Sequence, residues 1–171
     1  MRFTSLAVAF ALAILPIAAH GQEAVVATAC ETGGFMEDDR YRQIAEAYAL
    51  DAVDAARANF GVALDWSDAS VSQVEQMLDI MNDEIGSANP SPETIETFAK
   101  MFGSYIGEVY RRNHGATWGL VKIGEEFIPG LQAEGTCALF WPWGRVQNRL
   151  VEGDENNVLH YYEALIERNA Q

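Results

Sequence analysis

Basic residues are scarce in this chain: 11 lysines and arginines stand against 25 aspartates and glutamates, a formal net charge of −14 at pH 7. That balance disfavours nucleic acid and anionic lipid surfaces as partners. Histidine is scarcer still, and beyond the N-terminal stretch only His114 and His160 remain, neither in a paired ligand spacing. The two cysteines, Cys30 and Cys137, form no Cys-x-x-Cys motif. A zinc or iron site therefore has too few ligands, and no metal is expected. Asp154-Glu155-Asn156-Asn157 offers oxygens but lacks the alternation and closing glutamate of a calcium loop, so it reads as a solvated turn. A Gly-rich phosphate loop is also missing. Gly103-Ser104-Tyr105-Ile106-Gly107 misses the Gly-x-Ser-x-Gly nucleophile elbow by one residue and falls inside a helical pattern. No cofactor is expected. There is no internal repeat, no low-complexity tract and no second linker, and 171 residues suit one domain with its own core.

No apolar run reaches the ~20 residues of a membrane span, so stable membrane insertion is not expected. The nearest is Leu6 to Leu15, preceded by Arg2 and followed by Pro16 and the small stretch Ile17-Ala18-Ala19-His20-Gly21. This is the three-part layout of a cleaved signal peptide, with cleavage after Gly21 or after Ala19. The expected organisation is a signal peptide over residues 1–21, an extended lead-in over 22–36 and a single α+β domain over 37–171. The mature chain is expected in the periplasm or secreted. In an oxidising compartment Cys30 and Cys137 are expected to pair as a disulfide, the rival being two buried thiols.

What is present is helical periodicity. Tyr41, Ile44, Ala45, Tyr48, Ala52 and Ala55 share one helix face, ended by Asn59-Phe60-Gly61. A second helix from about Asp68, with Ser67 or Ser70 as cap, presents Val71, Val74, Leu78, Met81 and Ile85. The central helix opens at Ser91-Pro92 and carries the stripe Ile95, Phe98, Phe102, Tyr105, Ile106 and Val109 to a glycine cap at Gly115. Thr117–Ile123, a short stretch near Phe127-Ile128, and Cys137–Trp141 read as strands. Helices from Pro142 and from Val158 close the chain. The expected fold is α+β, with about five helices on a small, roughly three-stranded antiparallel sheet.

Three patterns lie along this frame: Leu64-Asp65-Trp66-Ser67 with Ser70; Gly103-x-Tyr105-x-Gly107-Glu108-Val109 with Gly115 and Trp118; and Val146-x-x-Arg149-Leu150-x-x-Gly153. Over roughly residues 37–165 the chain resembles an uncharacterised bacterial family of small α+β domains of unknown function. The resemblance implies a compact domain with a helical layer over a small sheet. It supplies no catalytic residue, and Cys30 and the N-terminal stretch fall outside it.

The few bases are concentrated, with Arg111 and Arg112 on the central helix and Arg145 and Arg149 one turn apart on a later one. Glu108 stands one turn before Arg112, and Trp118, Trp141 and Trp143 lie close in sequence. Two readings fit. Glu108, Arg112, Trp118, Trp141, Trp143, Arg145 and Arg149 form either a structural salt-bridge network with core aromatics, or a pocket for an anion, a peptide carboxylate or a cell-wall fragment. Gly103 and Gly107 mark a close approach, by an element of the same fold or by a docking partner. With no nucleophile–base pair, the functional expectation is a non-catalytic binding, accessory or inhibitory domain whose partner is a protein, peptide or cell-envelope ligand. The alternative is a small hydrolase using Glu108.

Overall fold

The computed structural model describes residues 34–169, so Cys30, the signal-peptide stretch and most of the lead-in lie outside the described residues. The chain runs through β1 (Phe35–Glu37), α1 (Asp39–Ala55), a π-helical turn (Ala56–Phe60), α2 (Ser70–Ala88) and α3 (Pro92–His114). β2 (Ala116–Ile123), β3 (Glu126–Ala133) and β4 (Leu139–Phe140) follow, then α4 (Pro142–Glu152), a 3-10 turn (Asp154–Asn156) and α5 (Val158–Asn169). The fold is α+β: the described residues form five α-helices with a four-stranded antiparallel sheet in the order β1-β2-β3-β4.

α3 is the centre. Ser91 accepts the Thr94 N–H at 3.3 Å and Pro92 occupies the first turn, where its missing N–H leaves no backbone bond unmade. Gly115 ends the helix at φ +80, a conformation that a side chain resists. The stripe residues Phe102, Tyr105, Ile106 and Val109 are buried, and α1 and α4 flank the helix. α1 approaches through Ala45, Ala49 and Ala52, continued by Ala56 of the π-helical turn, all fully buried. This narrow alanine seam rotates the expected face, so that Ile44 is exposed instead of core. The Gly103 and Gly107 approach is internal. A Cβ on Gly103 would sit 2.8 Å from the Trp143 Cα, and one on Gly107 would sit 2.5 Å from the Trp118 ring.

The small antiparallel sheet is as expected, and three of its details differ. The sheet has a fourth strand, because Phe35–Glu37, where the lead-in meets the domain, pairs with Val121–Gly119; a three-residue strand carries no periodicity, and bare Gly119 lets the Met36 carbonyl lie against it. β3 runs eight residues and passes through Pro129. A strand tolerates proline where one side lacks a partner, and β4 pairs only with Leu131 and Gln132. β4 is shorter than the Cys137–Trp141 run, since Cys137 adopts φ +57 in the turn that follows β3. Among the described residues no helix is long and apolar enough to cross a membrane.

Candidate functional site

Glu108 lies on the buried side of α3 with 0% exposure. Arg111 donates to it twice, Nε to Oε1 and Nη2 to Oε2, both at 2.9 Å, and Arg112 Nε reaches Oε2 at 3.3 Å. The Trp118 indole N–H, arriving from β2, donates to Oε1 at 2.9 Å. Burial alone would raise the carboxyl pKa; the Arg111 and Trp118 hydrogen bonds and the two guanidinium charges outweigh it and hold the group below its ordinary range. A carboxylate kept ionised and occupied by three donors is a structural anchor, poorly placed to exchange protons with a substrate. Arg111 continues outward to Glu46 at 3.3 Å, and Glu46 pairs with Arg42 at 2.8 Å, linking α3 to α1.

The remaining residues of the expected pocket divide. Trp143 joins Trp118, with ring centroids 6.1 Å apart, and its indole donates to Ser104 Oγ at 2.8 Å. Trp141 is 38% exposed, and its backbone N–H donates to the Tyr161 hydroxyl. Arg145 stacks over the Tyr161 ring at 4.7 Å and donates to Asn156. Arg149 is buried in a separate network, at 2.7 Å from Glu75, 2.6 Å from Asp79 and 3.0 Å from Asp154. Glu75 spends its other oxygen on the Val158 N–H, capping α5. Arg145 and Arg149 therefore do not face Glu108. The single arginine–tryptophan pocket is corrected to two networks, one tying α3 to β2 and α1, the other tying α2 to α4 and α5.

A third cluster went unread in the sequence. Asp68, just before α2, accepts from Asn113 Nδ2 at 2.9 Å and the Tyr162 hydroxyl at 2.6 Å, and faces His114 Nε2 at 3.1 Å. Burial would raise its pKa, but bonds from Tyr162, Asn113 and His114 hold it low. Among the described residues His114 bonds to Asp68 alone, so no nucleophile completes a triad. Beside it Trp66 holds φ +66, clamped by the Tyr105 hydroxyl on its N–H, Asn113 on its carbonyl and the Arg112 guanidinium 3.8 Å over its ring. Among the described residues no group of three or more histidines, cysteines or acids is arranged to hold a metal.

A further opening lies elsewhere among the described residues. A cleft of about 480 Å³ lies between the end of α1, the C-terminal half of α2 and the first turns of α3, with Leu150 of α4 also in its wall. Ile80, Met81 and Ile85 line it together with Ile95, Phe98 and Phe102, and among the described residues Glu84 is its one charged lining residue. The signal was in the sequence as two apolar stripes, on α2 and α3. Nothing in either stripe tells that their facing ends stay apart. A smaller recess of about 210 Å³ sits beside the Glu108 network, between Arg42, Arg111 and Thr117. Comparison with family models, with curated proteins and with solved structures finds no match to this chain, so the family resemblance rests on the motifs alone.

Proposed function

We propose that this chain is an exported, non-catalytic domain that binds a small apolar ligand in the cleft between α1, α2 and α3. The cleft carries the reading. Its volume of about 480 Å³ falls within the ~300–1,000 Å³ usual for small-molecule sites, and its wall is mostly aliphatic and aromatic, with Asn59 and Glu84 as its polar residues among those described. Ile80 remains 48% exposed there, apolar surface that folding alone leaves in water. The N-terminal Arg2–Gly21 pattern supports export, and the acidic surface supports a partner other than nucleic acid. The rival hydrolase would work through Glu108, whose carboxylate is committed to Arg111, Arg112 and Trp118.

The test is titration of the folded protein with a neutral, polarity-sensitive naphthalene dye. The expected result is saturable binding that Ala88→Trp, which fills the cleft, and Ile80→Lys, which charges its wall, both weaken while the melting temperature holds. Binding indifferent to both substitutions would overturn the reading.

A further inference from the structure

The ends of two helices meet at this cleft, and their charges give it a sign. α2 finishes at Ala88 with Asn89 in the left-handed conformation, and its last turn contains no basic residue. A helix C-terminus carries roughly half a negative charge and favours lysine or arginine nearby. α2 has the opposite: Asp83 and Glu84 near its end, and among the described residues neither takes part in an ion pair. The π-helical turn that extends α1 also ends here, with Asn59 and Phe60 in the wall. Arg57, in that last turn, does not line the cleft.

The positive end of α3 is answered locally, since Ser91 caps it and Glu93 lies in its first turn. Lys100, about two turns into the helix, is engaged by Glu96 at 2.6 Å. The cleft mouth therefore combines the C-terminus of α2 with the Glu84 carboxylate, which is in no ion pair among the described residues. Inside, Phe60, Phe98 and Phe102 line the wall, and aromatic faces attract cations. A local charge rule broken beside an open apolar cleft is the pattern of a site that expects its counter-charge from a ligand.

We propose that the cleft takes an amphiphilic monocation, an apolar body carrying one ammonium group held at the mouth by Glu84 and the C-terminus of α2. The proposal rests on the reading of the cleft as the ligand site and adds the sign of the ligand's head group. 4-Phenylbutylamine, 4-phenylbutanol and 5-phenylpentanoate share one phenylbutyl body and differ in charge at neutral pH, so calorimetric titration with the three separates the two statements. The amine is expected to bind about tenfold tighter than the carboxylate at low salt. Glu84→Gln is expected to reduce that ratio to below about threefold, and higher ionic strength to narrow it. Binding of the alcohol with amine and carboxylate equal, or a ratio unmoved by Glu84→Gln, overturns the cation site and leaves the apolar cleft standing. No binding by any of the three, or binding unaffected by Ala88→Trp, overturns both.

Discussion

Glu108 and Trp118, ten residues apart, close the corner between α3 and β2 with one hydrogen bond of 2.9 Å. Both are buried, and the carboxylate also holds Arg111 and Arg112. Removing it strands a guanidinium and an indole N–H without their acceptor. Glu108→Ala is therefore expected to cost about 3–5 kcal/mol and to lower the melting temperature by roughly 10 °C or more. Lys100→Ala, which breaks only the partly exposed pair with Glu96, is expected to cost ~0.3–0.5 kcal/mol. Small, equal shifts would show that Glu108 anchors nothing. A Glu108→Gln protein that folds but loses a measurable turnover would restore the hydrolase.

The same carboxylate sets an acid limit. Its folded pKa is depressed from 4.5, so its contribution is full above that value and lost as pH falls through the lower folded value. Asp38, Asp39, Asp65, Asp68 and Glu93 shift in the same direction, though the exposed ones among them count for little. Stability measured in urea is expected to decline below about pH 4.5. The decline should be shallower in Glu108→Gln, which has one fewer proton to take up. Parallel slopes in the two proteins would exclude Glu108 as a source of the acid sensitivity.

Some of this was legible and some was not, for physical reasons that differ by element. α3 announces itself because Ser91-Pro92 and Gly115 are local signals, written within a turn of where they act. β1 has no such signal, since its three residues are specified by the room that Gly119 leaves across the sheet. The i, i+4 spacing of Arg145 and Arg149 put them on one side of α4 but named no partner; Arg149 answers to Glu75, 74 residues away. The i, i+4 spacing favours Arg112 as the partner of Glu108, yet Arg111 makes two bonds to it that are shorter than the one from Arg112. Spacing orders residues around one helix. It does not say which neighbour will come to meet them.

That division of the arginines is itself testable. Arg149 is 1% exposed among Glu75, Asp79 and Asp154, and Glu75 also caps α5. Arg149→Leu leaves the buried Glu75 without its cation, and is expected to cost about 3–5 kcal/mol. Arg145→Ala loses a half-exposed stacking contact on Tyr161, expected at ~0.5–1 kcal/mol. Denaturant midpoints would check both. Similar losses would return the two arginines to one shared site.

The proposed disulfide can be approached from the described side. Gly34 packs on Leu139, close enough that an added methyl would lie 3.2 Å from its Cδ1. Cys137 is two residues from Leu139 and Cys30 four residues before Gly34; four residues span up to ~14 Å. The pairing is thus within reach of the chain. Exported protein is expected to have a mass two hydrogens below its reduced form, and labelling of both cysteines after denaturation without reductant would end the proposal.

Two helical glycines make opposite predictions. Gly107 is a contact position: a Cβ there would meet the Trp118 ring at 2.5 and 2.8 Å and Leu131 at 3.2 Å. The ring has little freedom to yield, because its indole N–H is tied to Glu108 and its other side meets Trp143. Gly107→Ala is expected to cost about 1–3 kcal/mol through overpacking, despite alanine's better helix propensity. Gly86, in the last turns of α2, has nothing within 4 Å of such a Cβ. There only propensity acts, and Gly86→Ala is expected to gain about 0.5–1 kcal/mol. Thermal unfolding of the two variants reads both signs at once, and tryptophan fluorescence of Gly107→Ala should report the displaced indole. If both substitutions stabilise, Trp118 is not wedged against α3, and the corner that holds Glu108 is looser than these distances require.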